Sequence, residues 1–259
     1  MNHHERRFPT SICVRVTRRC NAACSFCQAP NTSREELSID TLRLISENLR
    51  RRGVRSLKIS GGEPTMRRDL ATVIEVTGKI LPKVVVITNG ISITTEVVAS
   101  TLAMKSEFKF SIHRPDASND DVFRVSSFEN VLESMRVCRT HDIPFSIHTV
   151  VTAETIEMMD DMVEFARSRG ARKISFIPVV PRGRAARGGR NSIAGAELQT
   201  VHSKVASLSA GHEGMIDVRC LDFWNRDYWV IENDGVLWIE RSKEGLDERV
   251  CELDDLLTA

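Results

Sequence analysis

Between residues 12 and 178, six short runs rich in β-branched and aromatic residues alternate with longer stretches of helical periodicity. This alternation constrains the fold more than any other feature. The strand-like runs fall at 12–17, 54–60, 83–88, 108–112, 145–151 and 173–178, and the helical stretches at 36–51, 69–81, 95–104, 128–141 and 155–169. In 128–141, Val131, Leu132, Met135 and Cys138 recur at helical spacing with charges between them, an apolar stripe on a polar helix. Successive strand–helix–strand units build a parallel sheet with right-handed crossovers. The expected class is therefore α/β, as a barrel or partial barrel rather than a sandwich. A chain of 259 residues with 41% hydrophobic content suffices for one such domain or two small ones.

The rhythm breaks after Pro178. Residues 181–191 place Arg182, Arg184, Arg187 and Arg190 among three glycines. A helix is expected over 198–208, and then 228–231 and 236–239 flank Asp234-Gly235, a hairpin turn signal. The expected division is an N-terminal extension at 1–9, the barrel at 10–180, and an arginine-rich loop with a small α+β cap at 181–259. With 36 basic and 35 acidic residues, overall charge gives no argument for a nucleic-acid or membrane partner, and neither is expected. There is no apolar run of membrane-spanning length, and the opening Met-Asn-His-His-Glu-Arg-Arg is too polar for a signal peptide.

Cys20, Cys24 and Cys27 set three thiols on one short loop in the spacing C-x3-C-x2-C. Soft thiolates at this spacing suit three corners of a cubane iron–sulfur cluster and leave one iron open, as catalytic metal sites keep an open position. A disulfide framework fits poorly in a chain of this length with seven cysteines and no signal peptide. A zinc knuckle wants a second Cys or Cys/His pair nearby, and none follows within forty residues. Free thiols and an oxygen-sensitive cluster both point to a reducing cytoplasm.

In a parallel α/β sheet, ligands gather at the carboxyl ends of the strands. There the cysteine loop follows the first strand, Ser60-Gly61-Gly62-Glu63-Pro64 the second and Thr88-Asn89-Gly90 the third. Ser111 and His113 close the fourth, and His148 lies late in the fifth. Paired glycines after a strand let backbone approach a ligand closely, and Glu63 offers a carboxylate to a cationic group. Arg15, Lys109 and Lys173, at alternating strand positions, either line the lumen or face solvent.

The cysteine triplet with Phe26 before its last member, together with Gly61-Gly62-Glu63-Pro64, resembles the radical S-adenosylmethionine (radical SAM) superfamily. The likeness continues through 88–90, Phe-Ser-Ile-His at 110–113 and Thr-Val-Val at 149–151, and ends near Gly183-Arg184-Ala185. The flavour is that of the branch holding SPASM or twitch maturases and the molybdenum-cofactor cyclase. The resemblance implies a partial (β/α)6 barrel and one [4Fe–4S] cluster on Cys20, Cys24 and Cys27. The open iron would be chelated by S-adenosylmethionine, whose reductive cleavage yields a 5′-deoxyadenosyl radical that abstracts hydrogen from substrate. It further implies that Gly61, Gly62 and Glu63 receive the methionine amine and that backbone beside Phe26 meets the adenine. Asn89, Ser111, Arg124 and His148 complete the expected cofactor contacts, although Arg124 stands one residue further from Ser111 than the family's arginine. His113 stands where an aspartate is common, and His148 where asparagine often sits; each is expected as a hydrogen-bonded wall residue rather than a catalyst. The electron donor would be of flavodoxin or ferredoxin type.

The tail keeps only Cys220 and Cys251, too few for an auxiliary cluster. The expected activity is a radical reaction on a small, anionic metabolite, with Arg182, Arg184, Arg187, Arg190 and His113 as candidate substrate contacts. Without an auxiliary cluster to accept electrons, redox-neutral rearrangement, elimination or epimerisation is favoured over oxidation, and Cys220 and Cys251 are candidate hydrogen donors. Modification of a ribosomally made peptide is the alternative substrate reading. It is disfavoured by the expectation that no peptide-recognition domain precedes the first strand. A non-catalytic iron–sulfur or zinc protein is the alternative class.

Overall fold

A computed structural model describes residues 7–28, 35–187, 193 and 195–258. The alternation read from the sequence is realised as β1 (Ser11–Thr17), α1 (Ile39–Arg51), β2 (Ser56–Gly61), α2 (Leu70–Ile80), β3 (Lys83–Thr88), α3 (Thr95–Ala103) and β4 (Glu107–Ser111). It continues through a short α4 (Asn119–Phe123), α5 (Phe128–Thr140), β5 (Phe145–Val151), α6 (Met159–Ser168) and β6 (Lys173–Pro178). The tail adds α7 (Ala196–Gly211), β7 (Asp217–Cys220), β8 (Tyr228–Ile231), β9 (Leu237–Glu240), β10 (Glu248–Cys251) and α8 (Leu253–Thr258). Local chemistry sets the helix ends. Ser38 caps α1 by accepting from the Thr41 N–H, Asp40 sits in its first turn, and Arg50 and Arg51 lie in its last.

All strands form one sheet in the order β10-β9-β8-β1-β2-β3-β4-β5-β6-β7. Strands β1 to β6 are parallel neighbours in sequence order, and β1 does not pair with β6, so this is an open, partial barrel. The tail continues the sheet at both edges. β7 adds parallel to β6, and β8 adds parallel to β1 and carries the antiparallel β9 and β10 outward. The hairpin expected around Asp234-Gly235 is the β8–β9 pair.

Residue alternation sorts the two faces of the strands. Phe108, Phe110, Ile59, Ile147 and Ile174 are buried between sheet and helices, in the main core. Their half-buried alternates, Lys109 and Ser111 on β4 and Ser146 and His148 on β5, face the lumen. The second face is therefore what the barrel offers to a ligand. Among the described residues, no helix is long and apolar enough to cross a membrane.

Candidate active site at the carboxyl ends of the strands

A cavity of about 400 Å³ opens at the carboxyl ends of β1 to β6. It brings together Cys20, Cys24, Phe26, Cys27, Gly61, Gly62, Glu63, Asn89, Ser111, His113, His148 and Arg184 from the residues singled out above. The arrangement begins with the cysteine loop, which leaves β1 and is held from four sides. Backbone of the second strand's turn comes first: the Gly62 N–H donates to Thr17 O and the Glu63 N–H to Arg19 O, both over 2.8 Å. Neither glycine tolerates a side chain, since an added Cβ would lie 2.1 Å from Thr17 O at Gly61 and 2.3 Å from Arg19 O at Gly62. The close approach that these glycines permit is therefore to the cysteine loop itself, and Gly61 also needs its φ of +145°.

The third strand supplies a second tie, as Asn89 Nδ2 donates to Asn21 Oδ1 over 2.7 Å. α4 supplies a third, its Phe123 carbonyl accepting from the Ala23 N–H over 2.9 Å. Residue 184 supplies the fourth: its N–H donates to Cys27 O over 2.9 Å and its guanidinium to Cys24 O over 3.1 Å. The three thiols are free and at least partly accessible. Burial first, then the nearby Cys27 and Cys20, push the Cys24 thiol up to about 12.

Glu63 is buried, and its carboxylate joins the second strand's turn to the third's. Oε1 accepts from the Thr65 N–H, Thr65 Oγ1 and Thr88 Oγ1, the last over 2.6 Å, and Oε2 accepts from the Asn89 N–H over 2.7 Å. Burial raises its pKa while these hydrogen bonds oppose the rise. On the opposite wall, Ser111 Oγ and His148 Nε2 lie 2.6 Å apart. His113 Nδ1 accepts from the Val150 N–H over 3.0 Å, and its ring meets Phe26 edge-on at 4.7 Å and Phe123 at 5.5 Å. Burial drives the His113 pKa down to about 3, so it is a neutral imidazole with its proton on Nε2. It is a packed wall residue beside Phe26.

Several expected participants lie elsewhere. Arg182 is not on the cavity wall: its guanidinium forms a bidentate pair with Asp247 over 2.6 and 2.8 Å and donates to Arg241 O over 2.9 Å. An arginine so engaged is an anchor for the tail rather than a free clamp. Cys220 ends the edge strand β7, where burial and then Asp222 push its thiol up to about 11, and Cys251 lies in β10 near Arg52; neither lines the cavity. Arg124 is exposed at the end of α4 with φ of 60°, off the cavity wall. Arg190 and the side chain of Arg187 lie outside the described residues.

The cavity wall also takes in Arg15, expected either to line the lumen or to face solvent, together with Arg18, Phe223 and Tyr228. Arg15 is buried and grips Glu240 in a bidentate pair over 2.6 and 2.7 Å as well as Glu232, and Arg18 meets Glu232 at 2.8 Å. Tyr228 and Phe223 bring the tail to the wall. The single tyrosine and the tryptophans of the tail are the aromatic surface that the sequence offers for capping the barrel and shaping the pocket, while nothing in it marks Arg18 or Phe223.

Residues 14–166 match the family model of the radical SAM superfamily. The chain belongs to this superfamily. The match runs from β1 to α6, across the cysteine loop, the Gly-Gly-Glu turn and the Ser111–His148 wall of the radical SAM barrel. The chain is 29% identical over 181 residues to the probable GTP 3′,8-cyclase of Sulfurisphaera tokodaii, covering 66% of this chain and 56% of that protein. It is 31% identical over 182 residues to the AdoMet-dependent heme synthase of Methanosarcina barkeri, covering 68% and 52%. The chain thus spans about half the length of the curated relatives it matches. Among solved structures, Streptococcus suis SuiB bound to precursor peptide SuiA has a TM-score of 0.77 at 15% identity, covering 99% of this chain and 62% of that one, a likeness of fold.

Radical SAM enzymes use a [4Fe–4S] cluster and S-adenosylmethionine. The residues present suit that pair. Three accessible soft thiols share one rim, in a setting where burial and the neighbouring sulfurs raise the Cys24 pKa and a cationic cluster would relieve it. Among the described residues, no three His, Cys, Asp or Glu side chains converge as ligands of a single metal ion. Thiolates that each take a different iron need no such convergence.

Proposed function

We propose that Cys20, Cys24 and Cys27 hold the cluster and that S-adenosylmethionine occupies the cavity beneath it. The supporting observation is that the cysteine loop and the Gly61–Glu63 turn, from different strands, are hydrogen-bonded to each other on one cavity wall. When bound, the cluster supplies the electron that cleaves S-adenosylmethionine to methionine and a 5′-deoxyadenosyl radical, which takes hydrogen from the substrate. The chain's residues orient and shield. Gly61, Gly62 and Oε2 of Glu63, which has one hydrogen bond so far, receive the methionine amine. Phe26, edge-on to neutral His113, makes an apolar wall for the adenine, and Ser111, His148 and Asn89 line the ribose side. Arg124 reaches the carboxylate only if its exposed side chain turns inward.

The substrate is a small metabolite, processed by a redox-neutral rearrangement, elimination or epimerisation. The relative named as a probable GTP 3′,8-cyclase supports this reading. A peptide substrate is the second reading, favoured by the fold likeness to SuiB with its bound precursor peptide. Residues 10–180 carry the cofactor chemistry and 181–259 close the edge of the site, in a cytoplasmic setting with a flavodoxin- or ferredoxin-type donor. The test is anaerobic reconstitution with iron and sulfide, followed by dithionite and S-adenosylmethionine. 5′-Deoxyadenosine should form; none from a protein loaded with about four irons would overturn the reading.

A further inference from the structure

The lumen beneath the cavity is more positively charged than its own carboxylates can balance. Lys58 on β2 and Lys109 on β4 stand two residues before Ser60 and Ser111, which line the cavity. Alternate residues on a strand share a face and lie about 7 Å apart, so both lysines sit one layer below. The register places Lys109 beside Ile87 and Ser146, and the pairing of Ile147 with Ile174 brings Ser146 alongside Lys173 of β6. Ser175, one layer up, pairs with Arg219 of β7. The ammonium of Lys109 is destabilised first by burial and then by Lys58, Lys173 and Arg219, which lowers its pKa to about 8.

The neighbouring carboxylates are already engaged. Glu107 pairs with Lys83 at 2.8 Å, and Asp217 is shared between Arg219 and Lys173, the latter at 3.6 Å. Arg15, further along the wall, is satisfied by Glu232 and Glu240. Among the described residues, Lys58 and Lys109 have no carboxylate partner, and the Lys58 ammonium instead lies 5.9 Å from the ring centroid of Tyr228. Tyr228 in turn lines the cavity, so the lysine layer and the cavity share a wall. Half-buried like charges without counter-ions cost stability, and a site that keeps them has an anion to gain.

We propose that Lys58, Lys109 and Lys173 form an oxyanion subsite on the lumen floor. It takes a phosphate or carboxylate group of the substrate and directs the rest of that molecule up toward the cavity. The proposal deepens the small-metabolite reading and rests on it. It moves the anion-binding role from the loop arginines, two of which hold the tail and the cysteine loop, to lysines inside the barrel.

The test is a lysine-acetylation footprint on the reconstituted holoprotein at mildly alkaline pH, read by mass spectrometry, with inorganic phosphate or succinate as the probe. A probe in the subsite should slow labelling of Lys58, Lys109 and Lys173 by about tenfold while exposed Lys79 labels at an unchanged rate. Lys109→Met should weaken that protection by about tenfold, and Lys109→Arg should restore it. Iron content reports whether each variant is folded, and Lys58→Met replaces Lys109→Met if it is not. Protection by phosphate alone identifies a phosphate site, and protection by succinate alone a carboxylate site. No protection by either probe, in wild-type protein that still makes 5′-deoxyadenosine, overturns the subsite and leaves the cofactor reading intact. Protection in protein that makes none upholds the subsite and overturns the cofactor reading instead.

Discussion

The guanidinium of Arg184 donates to the carbonyl of Cys24, a residue 160 positions earlier, over 3.1 Å. The loop that follows the last barrel strand thus braces the loop that follows the first. Arg184→Ala removes one charge-assisted hydrogen bond, worth about 1.5–3 kcal/mol where buried and less at this partly exposed site. We expect the variant to load iron but release it several-fold faster to a chelator. The Cys20, Cys24 and Cys27 triple alanine variant should load almost none. Equal release rates for Arg184→Ala and wild type would show that the brace is idle.

Gly62 tests the contact between the two loops more severely. A methyl group there meets backbone, with Arg19 O at 2.3 Å, and backbone cannot swing aside as a side chain can. Gly62→Ala should displace the cysteine loop and reduce both iron content and S-adenosylmethionine affinity by at least about tenfold, with secondary structure retained by circular dichroism. Near-normal affinity would mean that the loop shifts without functional consequence.

The strands β1 to β6 were legible because each is a run of Val, Ile or Phe between turn signals, and the helices because their apolar residues keep helical spacing. What was not legible depends on distant partners. β7 and β10 are four-residue edge strands carrying Asp217, Arg219, Glu248 and Arg249, and only pairing with β6 and β9 makes them strands. α4 is too short for periodicity to show. The cysteine loop and Gly61-Gly62-Glu63 could be read from spacing, yet Glu63's partners and the capture of Arg182 by Asp247 could not. No local pattern announces a pair 65 residues apart.

His113 gives the protein a defined acid sensitivity. Its pKa is about 3 in the folded chain against 6.5 for an ordinary histidine, so the unfolded chain takes up the proton first as pH falls. Stability is therefore intact above pH 6.5 and is lost toward pH 3, with a slope from this group approaching about 1.4 kcal/mol per pH unit. His113→Gln should flatten the profile of denaturation midpoint between pH 6 and about 4 relative to wild type. Parallel profiles would assign the acid sensitivity to other groups, His148 first among them.

Arg182→Ala leaves Asp247 facing Glu240 in a poorly hydrated corner, because Arg182 lies between both carboxylates, at 2.6 and 3.3 Å. We expect a loss of about 2–4 kcal/mol in urea unfolding. The double variant Arg182→Met with Asp247→Leu should recover part of it, since an apolar pair leaves no stranded charge. A double variant no better than the single one would show that the pair's geometry, rather than its charge, holds the tail.

The pairing of β8 with β1 has a consequence for how the chain is made. Cys13 and Val14 neighbour Val230 and Ile231, and the counter-charges of Arg15 arrive with Glu232 and Glu240. While the ribosome has delivered only the six barrel strands, β1 is an uncovered edge with an unneutralised arginine beside it. The strand that launches the cysteine loop therefore settles only after more than two hundred further residues have emerged. Barrel assembly and cluster insertion would then wait for β8, and a chaperone shielding that edge would be needed until β8 has emerged.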